Sequence, residues 1–187
     1  MSTQTIKAIE TRYKGYRFRS RLEARWAVFF DAAGIAWEFE KEGFDLGSAG
    51  LYLPDFWLSG AGIWVEIKPA LPPDEEMGKI AALARAQDSR VLLLMGQPWY
   101  GEYWGIAVKR AVAEGNVGLH GRTISHLAVC RRCDSLGWIY ENLDKGIYEA
   151  GVFGNCCDSE RWPISFHLFN DAYQKARSAR FEHGESG

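Results

Sequence analysis

Apolar positions along residues 20–36 recur at the spacing of an α-helix. The side chains that would share one buried helix face are Leu22, Trp26, Phe29, Phe30 and Ala33. Ser20 is a favoured N-cap residue, and Gly34 is a favoured residue just beyond a helix end. The pattern therefore predicts an α-helix near residues 20–33.

The next part of the chain has the pattern of an α/β protein. Residues 35–46 predict a strand, and residues 52–68 predict a β-hairpin. Pro72, Pro73 and Asp74 begin a second helix, and the apolar run at 90–96 is typical of a buried parallel strand. A strand, a crossover helix and a buried strand predict a mixed central β-sheet flanked by helices.

The rest of the chain is less regular until its last segment. Residues 103–114 indicate another strand or a short helix. Residues 120–162 contain all four cysteines and few apolar runs, which indicates a small module. Residues 164–182 predict a C-terminal amphipathic helix, with an apolar stripe of Leu168, Phe169, Ala172, Tyr173 and Ala176. The predicted division is a core over 1–118, a Cys-rich module over 119–162, and a C-terminal helix and tail over 163–187.

The hairpin places charged residues inside an apolar sequence. If residues 59–62 form its loop, the pairs are Leu58 with Ile63, Trp57 with Trp64, and Phe56 with Val65. The same register places Asp55 opposite Glu66, with Cβ atoms about 5 Å apart. Lys68 shares a face with Glu66 because side chains alternate along a strand. Three charged side chains are thus predicted to converge.

Two opposed carboxylates repel each other, and a cation between them offsets that repulsion. Carboxylate oxygens suit Mg²⁺ or Mn²⁺, and the Ile67 carbonyl is a candidate further ligand. Lys68 is placed to hold or activate an attacking water and to neutralise charge on a phosphate. The alternative is a solvent-exposed hairpin face, where Lys68 would pair with an acid at little gain in stability. The apolar neighbours, Pro54 and Val65 among them, favour the phosphodiester-cleaving site.

The sequence "PDF" at 54–56, followed by "EIK" at 66–68, resembles the core signature of the PD-(D/E)XK nuclease superfamily. The block from about 15 to 69 resembles its small phage-type and transposase-endonuclease-like branch. The resemblance implies a restriction-endonuclease-like core and a metal-dependent nuclease with Asp55, Glu66 and Lys68 in its active site. It also implies a further metal-binding acid from the preceding helix, and Glu23 matches that position.

Glu23 has an alternative role at the start of its helix. Ser20 and Glu23 form the S-x-x-E pattern of a capping box, in which the glutamate only bonds a backbone amide at the helix start. If Glu23 faces away from the hairpin, Glu38, Glu40 and Glu42 are the other candidate acids.

All four cysteines lie within 28 residues, and they are Cys130, Cys133, Cys156 and Cys157. In a reducing compartment this clustering favours zinc binding over disulfides, and the paired segments resemble the knuckles of a zinc ribbon. Four ligands predict a structural zinc, with His126 or His167 as a substitute ligand if the adjacent cysteines cannot both bind. Buried thiols and a redox pair are the alternatives. The module would stiffen the core or present Arg131 and Arg132 to nucleic acid.

Composition limits the class of protein. Of the 187 residues, 47% are hydrophobic and 14% aromatic, which excludes disorder as the main state. The sequence has no signal-like or membrane-spanning apolar segment, so we expect a soluble, cytoplasmic protein.

Charge is unevenly distributed along the chain. The formal net charge of −2 argues against a generally basic nucleic-acid binder. Residues 1–25, however, contain Lys7, Arg12, Lys14, Arg17, Arg19, Arg21 and Arg25 against Glu10 and Glu23. This segment is either a solvated surface or a DNA-binding one, with Arg17, Arg19 and Arg21 as its main contacts.

The function expected from these features is a Mg²⁺- or Mn²⁺-dependent DNA endonuclease with a structural zinc, active in phage or mobile-element DNA processing or recombination. The resemblance implies hydrolysis that leaves a 5′-phosphate. The alternatives are a non-catalytic DNA-binding adaptor and a transposase-like subunit that uses the zinc module for recognition. DNA is the expected partner, and a homodimer would allow both strands to be cut.

Overall fold

A computed structural model describes residues 8–89, 91–99, 104–108, 126–130, 133, 135–142, 147–152, 164–165 and 169–181. Within these residues the protein is a mixed α/β structure with three α-helices, which confirms the predicted class. No helix in the same ranges is long and apolar enough to span a membrane. Several predicted site residues lie outside the described residues, and they are Arg131, Arg132, Cys156, Cys157 and His167.

A five-stranded sheet forms the centre of the fold. Its strands in spatial order are β3 (Glu38–Phe39), β6 (Phe56–Leu58), β7 (Ile63–Lys68), β8 (Val91–Met95) and β9 (Trp104–Val108). Strands β7 and β8 run parallel, and the other neighbours are antiparallel. The predicted β-α-β unit is therefore confirmed, and the uncertain segment at 103–114 contains a strand.

Helix α1 (Arg21–Ala32) begins and ends close to where the sequence places it. Ser20 caps its start by accepting a hydrogen bond from the Glu23 amide, and Gly34 follows its end with a φ of 70°. Glycine adopts this left-handed conformation without strain. The predicted apolar face is buried at Trp26, Phe29 and Phe30, which pack against the sheet.

Helices lie on both faces of the sheet. Helix α1 covers one face together with α3 (Asn170–Ser178), and the Phe29 and Tyr173 rings stack with centroids 4.5 Å apart. Helix α2 (Asp74–Ala86) packs on the opposite face through residues such as Ile80 and Leu83. This layering explains why β8 is buried on both sides and reads as a continuous apolar run.

The β6–β7 hairpin has the predicted register. Phe56 pairs with Val65, Trp57 with Trp64, and Leu58 with Ile63, which leaves the four residues 59–62 as the loop. The amides of Ala61 and Gly62 both donate to the Leu58 carbonyl and close the loop. Asp55 thus immediately precedes β6, at the end of the sheet where β7 finishes at Lys68.

The single strand predicted over residues 35–46 is wrong. The segment forms two short strands, β3 and β4 (Phe44–Asp45), and β4 pairs with β5 (Leu51–Tyr52) outside the main sheet. Glu40 separates the two strands with a φ of 45°, a conformation that a regular strand does not contain. The chain therefore turns away from the sheet at Glu40.

Two short hairpin strands precede the first helix. They are β1 (Thr11–Tyr13) and β2 (Tyr16–Phe18), and their register places Arg12 directly opposite Arg17. Gly15 lies in the turn with a φ of 82°.

A second sheet follows the core. Its strands in spatial order are β12 (Ile147–Val152), β11 (Leu136–Asn142), β10 (His126–Cys130) and β13 (Ile164–Ser165). The predicted C-terminal helix is wrong in its first residues, because Ile164 and Ser165 pair with β10 as a strand. Helix α3 begins only at Asn170, and the stripe residues Ala172 and Ala176 are buried as predicted.

Candidate active site

The carboxylates of the hairpin are buried at one end of the central sheet. Asp55 is 3% exposed and Glu66 is 4% exposed. This burial excludes the alternative in which both acids lie on a solvent-exposed hairpin face. Asp55 precedes β6, and Glu66 lies within β7 two residues before Lys68, so the hairpin register itself brings the two acids together.

Both oxygens of Asp55 have donors. Its Oδ2 accepts a hydrogen bond from the Ile67 amide at 2.7 Å, and its Oδ1 accepts one from Nη2 of Arg19 at 2.9 Å. Burial nevertheless raises the pKa of Asp55 well above its usual value, and the negative charges of Glu66 and Glu23 raise it further. The Ile67 and Arg19 contacts oppose that shift without cancelling it.

Glu66 has one oxygen paired and one oxygen unsatisfied. Its Oε1 lies 3.2 Å from Nζ of Lys68, whereas its Oε2 is buried without a hydrogen-bond partner. Burial raises the pKa of Glu66, and the Lys68 charge opposes that rise. An unpaired buried carboxylate oxygen is costly, so this atom marks a position for a cation or a donor.

Tyr52 belongs to this site and was not predicted from the sequence. Its hydroxyl oxygen is buried and makes no hydrogen bond of good geometry, yet it lies close enough to Glu66 to shift the pKa of that carboxyl. Burial raises the pKa of Tyr52, and the Glu66 charge raises it further. Its position three residues before Asp55 was visible in the sequence, but the β4–β5 pairing that turns Tyr52 inward was not.

Lys68 bridges two acids from different elements. Its Nζ lies 3.2 Å from Glu66 Oε1 and 3.1 Å from Oε2 of Glu76, which is in the first turn of α2. Burial alone would lower the pKa of Lys68, but the Glu66 charge and the hydrogen bond to Glu76 raise it overall. Lys68 is therefore a cation at neutral pH. Glu76 is a second site residue that the sequence did not single out.

Arg19 joins the site to the segment between β3 and β4. Its Nη2 contacts Asp55, and its Nε lies 2.8 Å from Oε1 of Glu40. The Glu40 amide in turn donates to the Asp55 carbonyl at 2.9 Å. Of the alternative acids, Glu40 is therefore the one with a contact to Asp55. Glu38 instead pairs with Lys41.

Glu23 occupies the capping position at the start of α1. Its Oε1 accepts a hydrogen bond from the Ser20 hydroxyl at 2.6 Å, and its Oε2 accepts one from the Arg19 amide at 3.0 Å. The carboxylate is buried, and its charge still reaches Asp55 and raises the pKa of that residue. The capping contacts are therefore present, and metal binding by Glu23 stays a prediction.

These residues fit a single divalent cation held by Asp55 and Glu66. Five carboxylates lie around the site against two cationic side chains, and they are Glu23, Glu40, Asp55, Glu66 and Glu76 against Arg19 and Lys68. Glu66 Oε2 makes no hydrogen bond of good geometry, although the Tyr52 hydroxyl lies close to this carboxylate. Among the described residues no group of three or more Asp, Glu, His or Cys side chains is arranged as a metal cluster. Mg²⁺ and Mn²⁺ accept such sites because water and phosphate oxygens fill the remaining positions.

Arg17, Arg19 and Arg21 are the predicted DNA-binding residues within the described part of the chain, and Arg19 contacts Asp55. Arg12 and Arg17 are exposed and directly opposite each other on the β1–β2 hairpin, and Arg17 contacts Glu10 at 2.6 Å. Arg21 is partly buried, with its Nε lacking a hydrogen-bond partner. Arg25 instead donates to the carbonyls of Ala176 and Arg177 at the end of α3, so it holds two helices together.

The predicted zinc ligands are only partly within the described residues. Cys130 ends β10 and is buried, and Cys133 is exposed with its Sγ 3.1 Å from the Ser135 hydroxyl. His126, the substitute ligand, begins β10. Zinc binding by this module stays a prediction.

Comparisons with protein-family models, with curated proteins and with solved structures give no match for this chain. The arrangement of its own side chains is therefore what supports a function.

Proposed function

We propose that this protein is a divalent-metal-dependent DNA endonuclease whose active site is formed by Asp55, Glu66 and Lys68. The observation that carries the proposal is the burial of two neighbouring carboxylates, Asp55 and Glu66, beside Lys68 on the same strand as Glu66. Two buried acids close together repel each other, and a divalent cation between them offsets that repulsion.

Each side chain has a separate task in the proposed reaction. Asp55 and Glu66 hold the cation, and the Ile67 amide fixes the orientation of Asp55 through Oδ2. When bound, Mg²⁺ or Mn²⁺ would lower the pKa of an attacking water and offset the charge of the phosphate. Lys68 stays protonated, so it stabilises negative charge on the phosphate and does not accept the proton from water.

Glu76 keeps Lys68 at this position. Because Lys68 is shared between Glu66 and Glu76, its ammonium group lies between the hairpin and the first turn of α2. Removing Glu76 would leave Lys68 bound to Glu66 alone. Glu76 therefore acts as a positioning residue for the lysine.

The DNA would approach over the β1–β2 hairpin. Arg12 and Arg17 lie directly opposite each other, and Glu10 offsets only one of their two charges, so the pair keeps a net positive charge that favours a polyanion. Arg17 is two residues before Arg19, whose guanidinium reaches Asp55, so a strand held at Arg12 and Arg17 passes close to the carboxylates. Arg131 and Arg132 are proposed as further contacts from the Cys-rich module.

A non-catalytic DNA-binding adaptor is the second candidate. The observation that favours it is the direct contact of Arg19 with Asp55, which supplies that carboxylate with a protein counter-charge. Such a protein would keep the fold and bind DNA without cleaving it.

We also propose a structural zinc held by Cys130, Cys133, Cys156 and Cys157. The support is the clustering of the cysteines, with Cys130 at the end of β10 and Cys133 in the turn before β11. Elemental analysis of protein purified without chelators should find about one zinc per chain, and Cys133→Ser should release it. Zinc-free, folded protein would contradict this proposal.

The nuclease proposal is tested on a panel of end-labelled linear, nicked, flapped and four-way DNA, each incubated with Mn²⁺ or with EDTA. Cleavage of at least one DNA with Mn²⁺ and none with EDTA is expected, with products that a 5′-phosphate-dependent exonuclease degrades. Tight DNA binding without cleavage of any member would favour the adaptor instead.

A further inference from the structure

Arg19 connects two acidic side chains from different parts of the chain across the opening of the proposed active site. Its Nη2 lies 2.9 Å from Asp55 Oδ1, and its Nε lies 2.8 Å from Glu40 Oε1. Charge-assisted hydrogen bonds of this length are among the stronger polar contacts in proteins. The guanidinium therefore acts as a counter-charge for the acid that we propose as a metal ligand.

The backbone around Arg19 is held in place on both sides of this bridge. The Arg19 amide donates to Glu23 Oε2, and the Glu40 amide donates to the Asp55 carbonyl. The Arg19 side chain is nevertheless 57% exposed. Its main chain is thus fixed, whereas its guanidinium can move into solvent without disturbing the core.

The guanidinium and a divalent cation would compete for the same atom. Of the two donors to Asp55, the Ile67 amide is fixed within β7, whereas Arg19, which holds Oδ1, is an exposed side chain that a cation can replace. Two positive groups within about 4 Å repel each other strongly in a buried site. Five carboxylates, of Glu23, Glu40, Asp55, Glu66 and Glu76, lie around Arg19 and Lys68, so negative charge is in excess at the site.

We propose that Arg19 is an internal counter-cation, which occupies Asp55 in the metal-free protein and must be displaced from Oδ1 when a divalent cation binds. This inference rests on the proposed metal site. It gives Arg19 a role distinct from that of Arg17, whose guanidinium contacts Glu10 on the exposed hairpin. Metal binding is thereby coupled to release of the Arg19 side chain.

The test is the affinity of the full chain for Mn²⁺, measured without DNA by the electron paramagnetic resonance signal of free Mn²⁺. Titrations at about pH 8 favour the ionised carboxylates, whose pKa values are raised by burial. Arg19→Gln removes the competing charge and should bind Mn²⁺ about tenfold more tightly, because one charge-assisted hydrogen bond no longer has to be broken. Arg19→Lys keeps the charge but loses the two-pronged contact, and should bind with intermediate affinity.

Arg17→Gln is the matched control, because it removes the same charge from a guanidinium that contacts Glu10 on the exposed hairpin and not Asp55. Its Mn²⁺ affinity should equal that of the parent. If Arg17→Gln and Arg19→Gln raise the Mn²⁺ affinity equally, the change in net charge alone explains the effect, and the inference is overturned. Unchanged or weaker binding in Arg19→Gln would also overturn it, since Arg19 would then support the metal site.

A second measurement follows metal binding in the parent protein, and a variant serves only to assign one signal. The arginine Nη–H resonances are followed by nuclear magnetic resonance during a Mg²⁺ titration, because Nη2 is the atom of Arg19 that contacts Asp55. The Arg19 signal is identified by its loss in Arg19→Lys. It should shift and exchange faster with water as Mg²⁺ binds, and a signal unchanged at saturation contradicts displacement. Tighter Mn²⁺ binding by Arg19→Gln with no DNA cleavage by the parent would uphold this inference while rejecting the nuclease proposal.

Discussion

At the scale of single residues, Glu66 is a buried carboxylate whose negative charge is only partly compensated by its neighbours. Its Oε1 is paired with Lys68, its Oε2 has no hydrogen-bond partner, and the opposed Asp55 is equally buried. Burying an ionised carboxylate without full compensation costs free energy of folding. The metal-free protein therefore carries a cost that a bound cation would remove.

This cost predicts a pH-dependent gain of stability in Glu66→Gln. Burial raises the pKa of Glu66 above its usual value of 4.5. A carboxyl group with a raised folded-state pKa contributes stability below the unfolded-state pKa, and this contribution is lost as pH rises through the folded-state pKa. The glutamine has no charge to bury. The free energy of unfolding of Glu66→Gln should therefore exceed that of the parent at pH 7 and approach it near pH 4.

The measurement is thermal unfolding in EDTA between pH 4 and pH 7. The gain at pH 7 should be on the order of 1 kcal/mol, or a few degrees in Tm for a chain of this size. Glu75→Gln, on the exposed side of α2, is the control and should change little across this range. If the difference in stability between Glu66→Gln and the parent is constant with pH, ionised Glu66 carries no folding cost.

At the scale of elements, the start of α1 combines a helix cap with a charge that acts on the site. Ser20 and Glu23 bond to each other and to backbone amides, and the Glu23 charge raises the pKa of Asp55. These two roles can be separated, because Ser20 contributes only to the cap.

Ser20→Ala and Glu23→Gln should therefore have different effects on metal binding. Ser20→Ala should destabilise the protein by about 1 kcal/mol through loss of its capping hydrogen bonds. Glutamine at position 23 keeps an oxygen for the Arg19 amide, so Glu23→Gln should destabilise the protein less. Only Glu23→Gln should also weaken Mn²⁺ binding, because it removes a negative charge beside Asp55. Calorimetric titration of the two variants provides the comparison, and equal Mn²⁺ affinities would leave Glu23 with the capping role alone.

The elements also show which features a sequence can predict. The β6–β7 register follows from alternating apolar residues, so the meeting of Asp55 and Glu66 could be predicted. The turn at Glu40 and the strand at Ile164 could not, because one depends on a left-handed backbone and the other on pairing with a distant strand. The Arg19 contact joins side chains 36 residues apart and follows only from the folded structure.

At the scale of the whole molecule, positive charge is concentrated at the end of the sheet that holds the carboxylates. The chain has a formal net charge of −2, yet β1, β2 and the start of α1 carry most of the arginines of the first 25 residues. A local basic surface beside an acidic site fits a protein that holds a polyanion while binding a divalent cation.

Removing this surface charge should weaken binding to all duplexes alike, whatever their DNA sequence. Arg12→Ala combined with Arg17→Ala should flatten the log–log salt dependence of duplex binding by up to about two units, since each phosphate contact contributes about 0.9. Lys79→Ala combined with Arg85→Ala, both on α2, is the control of equal charge and should keep the parent slope. An unchanged slope in the arginine pair would show that the β1–β2 hairpin faces solvent when DNA is bound.

The measurement that tests the central claim most directly is single-turnover cleavage, with Mn²⁺, of the DNA that the parent cuts best. Asp55→Asn and Glu66→Gln should each lower the rate at least about a hundredfold while remaining folded, and Lys68→Ala should do so while retaining Mn²⁺ affinity. If both carboxylate variants cleave at the parent rate, the buried hairpin is not the active site and the account is contradicted.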